Sequence, residues 1–418
     1  MSARDTIDRL MERTNPAIAS YLDACVHCGL CAAACHFYET SGDPRHTPAY
    51  KLKPLEKAYK RHKAPFSNLR KAFGLAPPEV SDGELREWQE LIYDTCTMCG
   101  RCTLACPMGI DIAGTIGVMR TAMFEGGFTP SDLVEQAQRA KDVGSPLGVT
   151  PELLAERLEW IADEFETEVP LDKTGAEVML TASSIEVMKY TESIGSMAKI
   201  FNHAGVNWTF SSKGYEATNF GVLSGNGDVN RTMVTRLVDA AEELQVKLVV
   251  IPECGHALGA LRWTGPNVIG RELPFEVLHI SEYLAKLKRD GRLKLKSYGK
   301  PMTYHDPCQV SRRGGATKAA RELLNGFAQD FRESKHAGTA NWCCGGGGGV
   351  ISISDPKTVD GRLKAFKIKM DQVDDTEADV VVSACSNCRL ALDDGAKHYA
   401  WGREITNLAE VVAEQLEE

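Results

Sequence analysis

The sequence predicts an α+β multidomain chain, helical in its first part and built of two similar strand–helix units in its second. Three observations carry that prediction. Eight cysteines gather in two compact runs between Cys25 and Cys106, within sequence of helical pattern. Apolar residues then recur at three- and four-residue spacing up to Phe165. Beyond a linker, short apolar runs alternate with helical stretches, the rhythm of α/β units. The expected boundaries are 1–122 for the helical cysteine domain, 123–175 for a helical linker, and 176–298 and 299–418 for the two α/β units.

A chain of 418 residues can hold several cores, and 43% hydrophobic with 25% charged residues is ordinary for a globular protein. The net charge of −9 leaves no cationic surplus to replace phosphate counterions, which argues against nucleic acid as a partner. No apolar run is long enough to span a bilayer, and Met1 to Arg13 lacks the apolar stretch of a secretory signal. The expected location is the cytoplasm, with peripheral attachment to the inner face of the membrane allowed only through a partner.

Taken in order, residues 1–22 read as an opening helix. The long interval between Cys35 and Cys96 has helical patterning and a basic stretch, including Lys51, Lys53, Lys57, Lys60, His62 and Lys63. That stretch reads either as a docking surface for an acidic partner or as a solvated helix. Leu154, Leu158, Ile161 and Phe165 mark the buried side of a helix whose other side carries Glu152, Glu156, Glu159 and Asp163. Val169 to Gly175 is the linker. Strands are expected at 177–181, 206–210, 246–251, 301–305 and 379–382, with helices at 184–204, 230–244, 316–327 and 356–370. The segment from Leu248 through Cys254 to Ala257 can be laid over Asp379 through Cys385 to Cys388, which suggests an internal duplication.

Fourteen cysteines in C-x-x-C clusters read as metal ligands rather than as a disulfide framework. Cys25-x2-Cys28-x2-Cys31-x3-Cys35 and Cys96-x2-Cys99-x2-Cys102-x3-Cys106-Pro107 are complete ligand runs for two [4Fe–4S] cubanes. Three thiolates two residues apart wrap one cube, and the fourth reaches the neighbouring cube. This assigns Cys25, Cys28, Cys31 and Cys106 to one cluster and Cys96, Cys99, Cys102 and Cys35 to the other. His36 stands where the first run would have the proline.

Cys308, the adjacent pair Cys343 and Cys344, and Cys385-x2-Cys388 form a further set of five. Adjacent cysteines diverge from neighbouring Cα atoms, so they suit an open cluster in which thiolates bridge irons. Gly345 to Gly349 follow, and such a loop can bring backbone N–H groups close to sulfide.

Tyr304-His305-Asp306-Pro307-Cys308, Cys343-Cys344-Gly345 and Cys385-x2-Cys388 resemble the cysteine-rich CCG module of heterodisulfide reductases. The order of motifs from Cys25 to Cys388, with Ser145-Pro146-Leu147-Gly148 between them, is similar to that of the heterodisulfide reductase D subunit. Pro252 to Ala257 and Gly214 to Ala217 look closer to the cytoplasmic iron–sulfur subunit (DsrK) of a membrane complex of dissimilatory sulfur metabolism. Iron–sulfur subunits of glycolate, lactate and glycerol-3-phosphate dehydrogenases share the architecture. The resemblance implies an N-terminal α-helical ferredoxin domain followed by two pseudo-symmetric α/β CCG repeats. It also implies a noncubane [4Fe–4S] cluster on Cys308, Cys343, Cys344, Cys385 and Cys388 that cleaves or forms disulfides. The first repeat has no cysteine around Ala182-Ser183 or Gly214-Tyr215, so a second noncubane cluster is not expected.

Cys254, flanked by Glu253 and His256, is outside every complete set. It reads as a labile ligand or thiol relay with Glu253 or His256 handling protons, or as a relic of the ancestral repeat. Arg312 and Arg313 could hold an anionic substrate or cap sheet carbonyls. The functional expectation is an iron–sulfur oxidoreductase, one subunit of a larger complex. It would pass electrons between two cubanes and a noncubane cluster acting on a disulfide, trisulfide or persulfide. The alternative is a non-catalytic electron-transfer subunit of a flavin-dependent dehydrogenase. Expected partners are a cytochrome b-type membrane subunit or a flavoprotein, with a small thiol or disulfide or a sulfur-carrier protein as substrate. No Gly-x-Gly-x-x-Gly fingerprint marks a nucleotide or flavin site in this chain.

Overall fold

A computed structural model describes residues 3–252 and 254–417. Glu253, a candidate site residue, lies outside the described residues. The chain forms two compact units. One comprises residues 1–135, 222–227 and 345–368, and the other 136–221, 228–344 and 369–418.

The first unit is helical. Instead of one opening helix there are two, Ala3–Arg13 and Pro16–Ala24. Pro16 cannot continue the first helix but is preorganised to start the second, and the Asn15 side chain accepts from Ile18 N–H at 2.9 Å. The helix Ile112–Gly126 packs closely on the first: a Cβ at Gly126 would fall 2.1 Å from Thr6 Oγ1. Leu10 on the first helix and Ile116, Met119 and Met123 on the second are buried. The interval between the cysteine runs contains Lys53–His62, Ser67–Ala72 and Asp82–Gln89, the last started by a Ser81/Glu84 capping box. Trp88 is buried there and its indole N–H donates to Lys51 O at 2.8 Å.

The second unit holds two parallel sheets. Strands β1 (Val178–Leu180), β2 (Trp208–Thr209), β3 (Leu248–Ile251) and β4 (Glu276–His279) run in the order β2-β1-β3-β4. Strands β5 (Met302–His305), β6 (Val380–Ser383) and β7 (Glu404–Asn407) run in the order β5-β6-β7. Every pairing is parallel. The sequence reading located five of these strands and missed β4 and β7. Both are edge strands that begin on an exposed glutamate, so neither makes a continuous apolar run. The expected helix at 184–204 is broken into Ser184–Met188 and Thr191–His203 around Lys189 and Tyr190.

Buried strands and the helices behind them share one apolar core, which includes Val250, Ile280, Val382 and Leu408. Trp208 meets Phe201 and Phe210 edge-on at 5.5 and 5.6 Å. Among the described residues, no helix is long and apolar enough to cross a membrane.

Candidate metal centres

The two N-terminal cysteine runs adopt the same local shape. In each, the residue before the second cysteine and the glycine after it are left-handed: His27 at φ 52 and Gly29 at 79, Met98 at 54 and Gly100 at 76. A side chain at such a φ is strained, so its recurrence at matching positions marks two loops under one constraint. Alternating left-handed residues turn successive peptide N–H groups toward the concave side, where an anionic cluster would be held.

The fourth cysteine of each run reaches the other run. Cys31 lies close enough to Cys25 and to Cys106 of the other run to feel both thiols, and burial raises its pKa. Cys35 lies with Lys51, Cys99 and Cys96, and Cys102 with Cys99, Cys96 and Cys35. Burial pushes both thiols up, Cys102 far above its ordinary value. Metal binding must therefore release protons from these sites. A cavity lined by Cys35, Cys96, Cys99 and Cys102 lies between the thiols. The other group is open to water at Cys28.

Two buried cations stand beside the enclosed group. Lys51, read from sequence as part of a basic surface, is only 1% exposed, and its ammonium donates to Thr95 O and to Thr95 Oγ1 at 3.2 Å. The rest of that stretch is largely paired: Lys57 with Glu84, Lys60 with Glu56, Arg61 with Glu79. Arg120 is wholly buried, with its guanidinium 4.5 Å from the Tyr93 ring centroid. It donates to Ile92 O at 3.0 and 2.7 Å, Leu223 O at 2.9 Å, Gly348 O at 2.6 Å and Cys96 O at 2.9 Å. Sequence reading missed Arg120, which looks like any helical arginine until its partners are in place. Gly348 needs its missing side chain, because a Cβ there would sit 2.8 Å from Thr97 C. The glycine loop thus packs on the Cys96–Thr97 peptide.

In the second unit, Cys254, Cys308 and Cys385 follow the C-terminal ends of β3, β5 and β6, where α/β folds place their ligands, and Cys343 and Cys344 lie in a loop. Cys308 starts the helix Cys308–Ser311 just after β5. Cys385 caps the helix Ser386–Tyr399 just after β6, with Sγ accepting from Cys388 N–H at 3.4 Å. Cys344 Sγ is 3.4 Å from Cys388 Sγ. Cys308, Cys343, Cys344, Cys385 and Cys388 are all buried, and none of the fourteen cysteines is in a disulfide. Hydrogen bonds from Cys254 and Cys388 favour the Cys385 thiolate and lower its pKa.

Cys254 is brought to this set. It caps the helix Gly255–Leu258 after β3, as Cys385 does after β6, with Sγ accepting from His256 N–H at 3.3 Å. Its own pKa is raised by the hydrogen bond to Cys385 and by burial. Gly255 lets the loop press against the Cys308 helix, since a Cβ would lie 2.4 Å from Gln309 Cβ. His256 Nδ1 is 3.9 Å from Cys254 Sγ and its Nε2 is buried with no hydrogen-bond partner.

Polar groups that sequence reading missed surround these thiols. Lys369 is 1% exposed and lies near Cys343, Cys344 and Cys388. Its ammonium bonds Asn341 Oδ1 at 2.7 Å and Gln372 Oε1, and burial lowers its pKa to about 8. His305 offers a ring nitrogen within 4.8 Å of the Cys344 and Cys388 sulfurs. Burial and Lys369 keep His305 neutral, and its Nε2 has no partner. Arg312, which the sequence offered as an anion holder or a cap of sheet carbonyls, donates instead to loop carbonyls, Thr339 O at 2.6 Å and Asn341 O, on the way to Cys343. On the other side, Ser386 Oγ is 3.1 Å from Ser183 Oγ, which with Ser183 N–H bonds the Glu186 carboxylate. Burial raises Glu186 to about 7. A buried, partly unpaired donor set beside a buried cation fits an anionic metal–sulfur group far better than it fits an apolar core.

Known proteins match these regions. A 4Fe-4S dicluster domain model covers residues 21–110, and a Cysteine-rich domain model covers residues 302–393. The chain is 29% identical to the D subunit of the dihydromethanophenazine:CoB–CoM heterodisulfide reductase of Methanosarcina barkeri, over 94% of each chain. It is 25% identical to iron–sulfur subunit 2 of the Hdr-like menaquinol oxidoreductase of Archaeoglobus fulgidus, over 84% of this chain and 70% of that one. It is 27% identical to the EtfAB:quinone oxidoreductase of Syntrophomonas wolfei, over 90% of this chain and 55% of that longer protein.

Proposed function

We propose that this chain, which carries a 4Fe-4S dicluster domain and a Cysteine-rich domain and is similar along most of its length to a heterodisulfide reductase D subunit, is the component where electrons meet a sulfur–sulfur bond. Electrons would enter at Cys25, Cys28, Cys31 and Cys106, pass to the group on Cys35, Cys96, Cys99 and Cys102, and reach the five-cysteine set. Two electrons and two protons convert one disulfide into two thiols; the reverse reaction forms the bond. When bound, the clusters supply the one-electron steps that a cysteine pair handles poorly.

The protein's own residues supply the rest. Cys308, Cys343, Cys344, Cys385 and Cys388 would hold the noncubane cluster, and Lys369 would offset its negative charge. Cys254 acts as labile ligand or relay, with His256 at hand for a proton and Glu253 as the other candidate. Glu186 is ionised above about pH 7 and protonated below it, and Ser183 and Ser386 join it to the cysteine helix. Electron entry is favoured at the outer group, where Cys28 is exposed and Val26, Leu30, Leu104 and Met108 offer apolar surface to a partner.

The two halves of the second unit read as diverged copies, with domains near 176–298 and 299–418. Cys254 and Cys385 cap helices after central strands, and His279/Glu282 and Asn407/Glu410 form matching capping boxes after β4 and β7. Ser183 follows the end of β1 by three residues, as Cys308 follows the end of β5.

The observation that carries the proposal is the contact of Cys254 with Cys385 within a buried thiol set that already contains five candidate ligands. A plain relay site needs no additional thiol. The competing reading, a wiring component for a flavin-dependent dehydrogenase, draws on the likeness to the EtfAB:quinone oxidoreductase. Electron paramagnetic resonance of oxidised, anaerobically prepared protein distinguishes them. A signal that changes on adding a candidate thiol or disulfide supports sulfur chemistry; an unchanged signal favours wiring.

A further inference from the structure

We propose that the segment Lys63–Ala76, between the two N-terminal cysteine runs, is a lipid-docking tip that inserts into the interface of an anionic bilayer. Within ten residues it presents Phe66 at 76% exposure, Leu69 at 55%, Phe73 at 71% and Leu75 at 74%. These are four of the most exposed large apolar side chains in the described chain, and they lie together. Leu69 and Phe73 are one turn apart at the end of the helix Ser67–Ala72, and Phe66 precedes it. Ser67 is the buried side of that helix, so the apolar side is turned away from the unit.

Backbone conformation points the same way. Phe66 has φ 62, a left-handed conformation that is costly for a bulky residue, yet its ring contacts little of its own unit. Strain kept at an exposed phenylalanine has no return within the fold. It has one if the ring is held out for something else.

Charge selects the occupant. From Lys57 to Pro78 there is no acidic residue in a chain whose net charge is −9. Arg70 and Lys71 are exposed, and neither has an ion-pair partner among the described residues; Lys63 reaches only Thr14 O, at 3.3 Å. Phenylalanine and leucine mixed with free lysine and arginine are the composition of interfacial segments that sit among acidic headgroups. Cores of protein–protein interfaces are depleted in lysine, which makes a protein groove the poorer fit. The location also suits electron transfer. Pro77, the residue just after the segment, and His27, within the first cysteine run, line one cavity of about 650 Å³. A bilayer met at this tip would lie near the outer cysteine group, so the chain would touch lipid itself and not only through a partner.

The test is vesicle flotation of the full-length, anaerobically purified protein. Phosphatidylcholine vesicles are compared with vesicles that also contain phosphatidylglycerol, at low and physiological salt. Wild type should float with the anionic vesicles about tenfold more than with neutral ones, and less as salt rises. Phe73→Ser with Leu75→Ser should abolish flotation. Phe66→Asn should weaken it while leaving thermal stability equal or higher, because asparagine tolerates a left-handed φ; this separates lost docking from lost folding. Arg70→Ser with Lys71→Ser should remove the preference for anionic lipid. Failure of wild type to float with either vesicle overturns the proposal, as does binding only to membranes that contain a protein partner. Flotation unaltered by the Phe73/Leu75 change overturns it equally. None of these outcomes depends on the sulfur chemistry.

Discussion

Replacing Arg120 by methionine is the most informative perturbation of the first unit. The side chain is fully buried and has no carboxylate partner; it satisfies the carbonyls of Ile92, Cys96, Leu223 and Gly348. Methionine fills similar volume but donates nothing, so four buried acceptors lose a partner at about 1 kcal/mol or more each. Relief of the buried charge, which burial already makes less favourable, works in the opposite direction. The acceptors outweigh that gain, and a net loss of about 2–3 kcal/mol lowers the melting temperature by about 5–10 °C for a unit of this size. A second readout follows from the charge. Cys96 is a proposed ligand, and were a cluster held there about 7 Å from the guanidinium, the cation would contribute about 2 kcal/mol at an effective dielectric of about 20, or close to 100 mV for one electron. The Arg120→Met potential should fall by that order, since the reduced cluster is the more negative state. Arg120→Lys should recover the potential but not the melting temperature, because an ammonium cannot reach all four carbonyls. Thermal melts under anaerobic conditions and a redox titration measure both. A melting temperature within about 2 °C of wild type together with an unchanged potential would refute the reasoning.

Three further outcomes are expected. Burial lowers His279 to about 3, so the folded state stays unprotonated while the unfolded chain takes up a proton below about 6.5. Its contribution is thus present above that pH and lost on acidification. The stability difference between wild type and His279→Asn should change by about 1.4 kcal/mol between pH 7.5 and 5.5, and denaturant melts at the two pH values check it. Asparagine preserves the cap, as Asn407 does after β7. Glu186→Gln should remove the limb near pH 7 from the pH profile of disulfide reduction, where wild type slows as the carboxyl loses its proton; a profile that keeps this limb excludes Glu186 as a proton source. Cys254→Ser should slow disulfide turnover at least about tenfold with iron content unchanged, and unaltered turnover would remove Cys254 from the mechanism.

Ligand spacing is the most legible part of this sequence, because a metal-binding loop is local. Cys25 to Cys35 and Cys96 to Cys106 can be read without knowing where the rest of the chain goes. The five later cysteines are legible through strand ends, which bring distant residues to one edge. β4 and β7 are not, since an edge strand half in water carries little apolar signal. The break of the opening helix at Pro16 is visible in principle, but continuous periodicity on either side hides it. Buried cations are the main failure. Lys51 sits among exposed lysines in the sequence, and only tertiary structure turns it inward onto Thr95. Lys369 likewise reads as one more lysine of a helix. A composition rule sends lysine to the surface; a site that must hold negative charge reverses the rule.

That reversal explains why burial and charge go together here. Enclosing a cluster in low dielectric favours its less charged, oxidised form, and a relay whose inner member cannot be reduced carries nothing. The group with exposed Cys28 can rely on water. The enclosed group has Lys51 and Arg120 beside it, and the C-terminal set has Lys369. Each ammonium or guanidinium is hydrogen-bonded by neutral oxygens rather than by a carboxylate, so none is locked in a contact ion pair, although Asp306 still acts on Lys369 and Asp94 on Arg120. A salt-bridged cation would stabilise the fold as well but would do little for the electron. The choice of carbonyl and amide partners is what leaves the positive charge free to act on the thiolates.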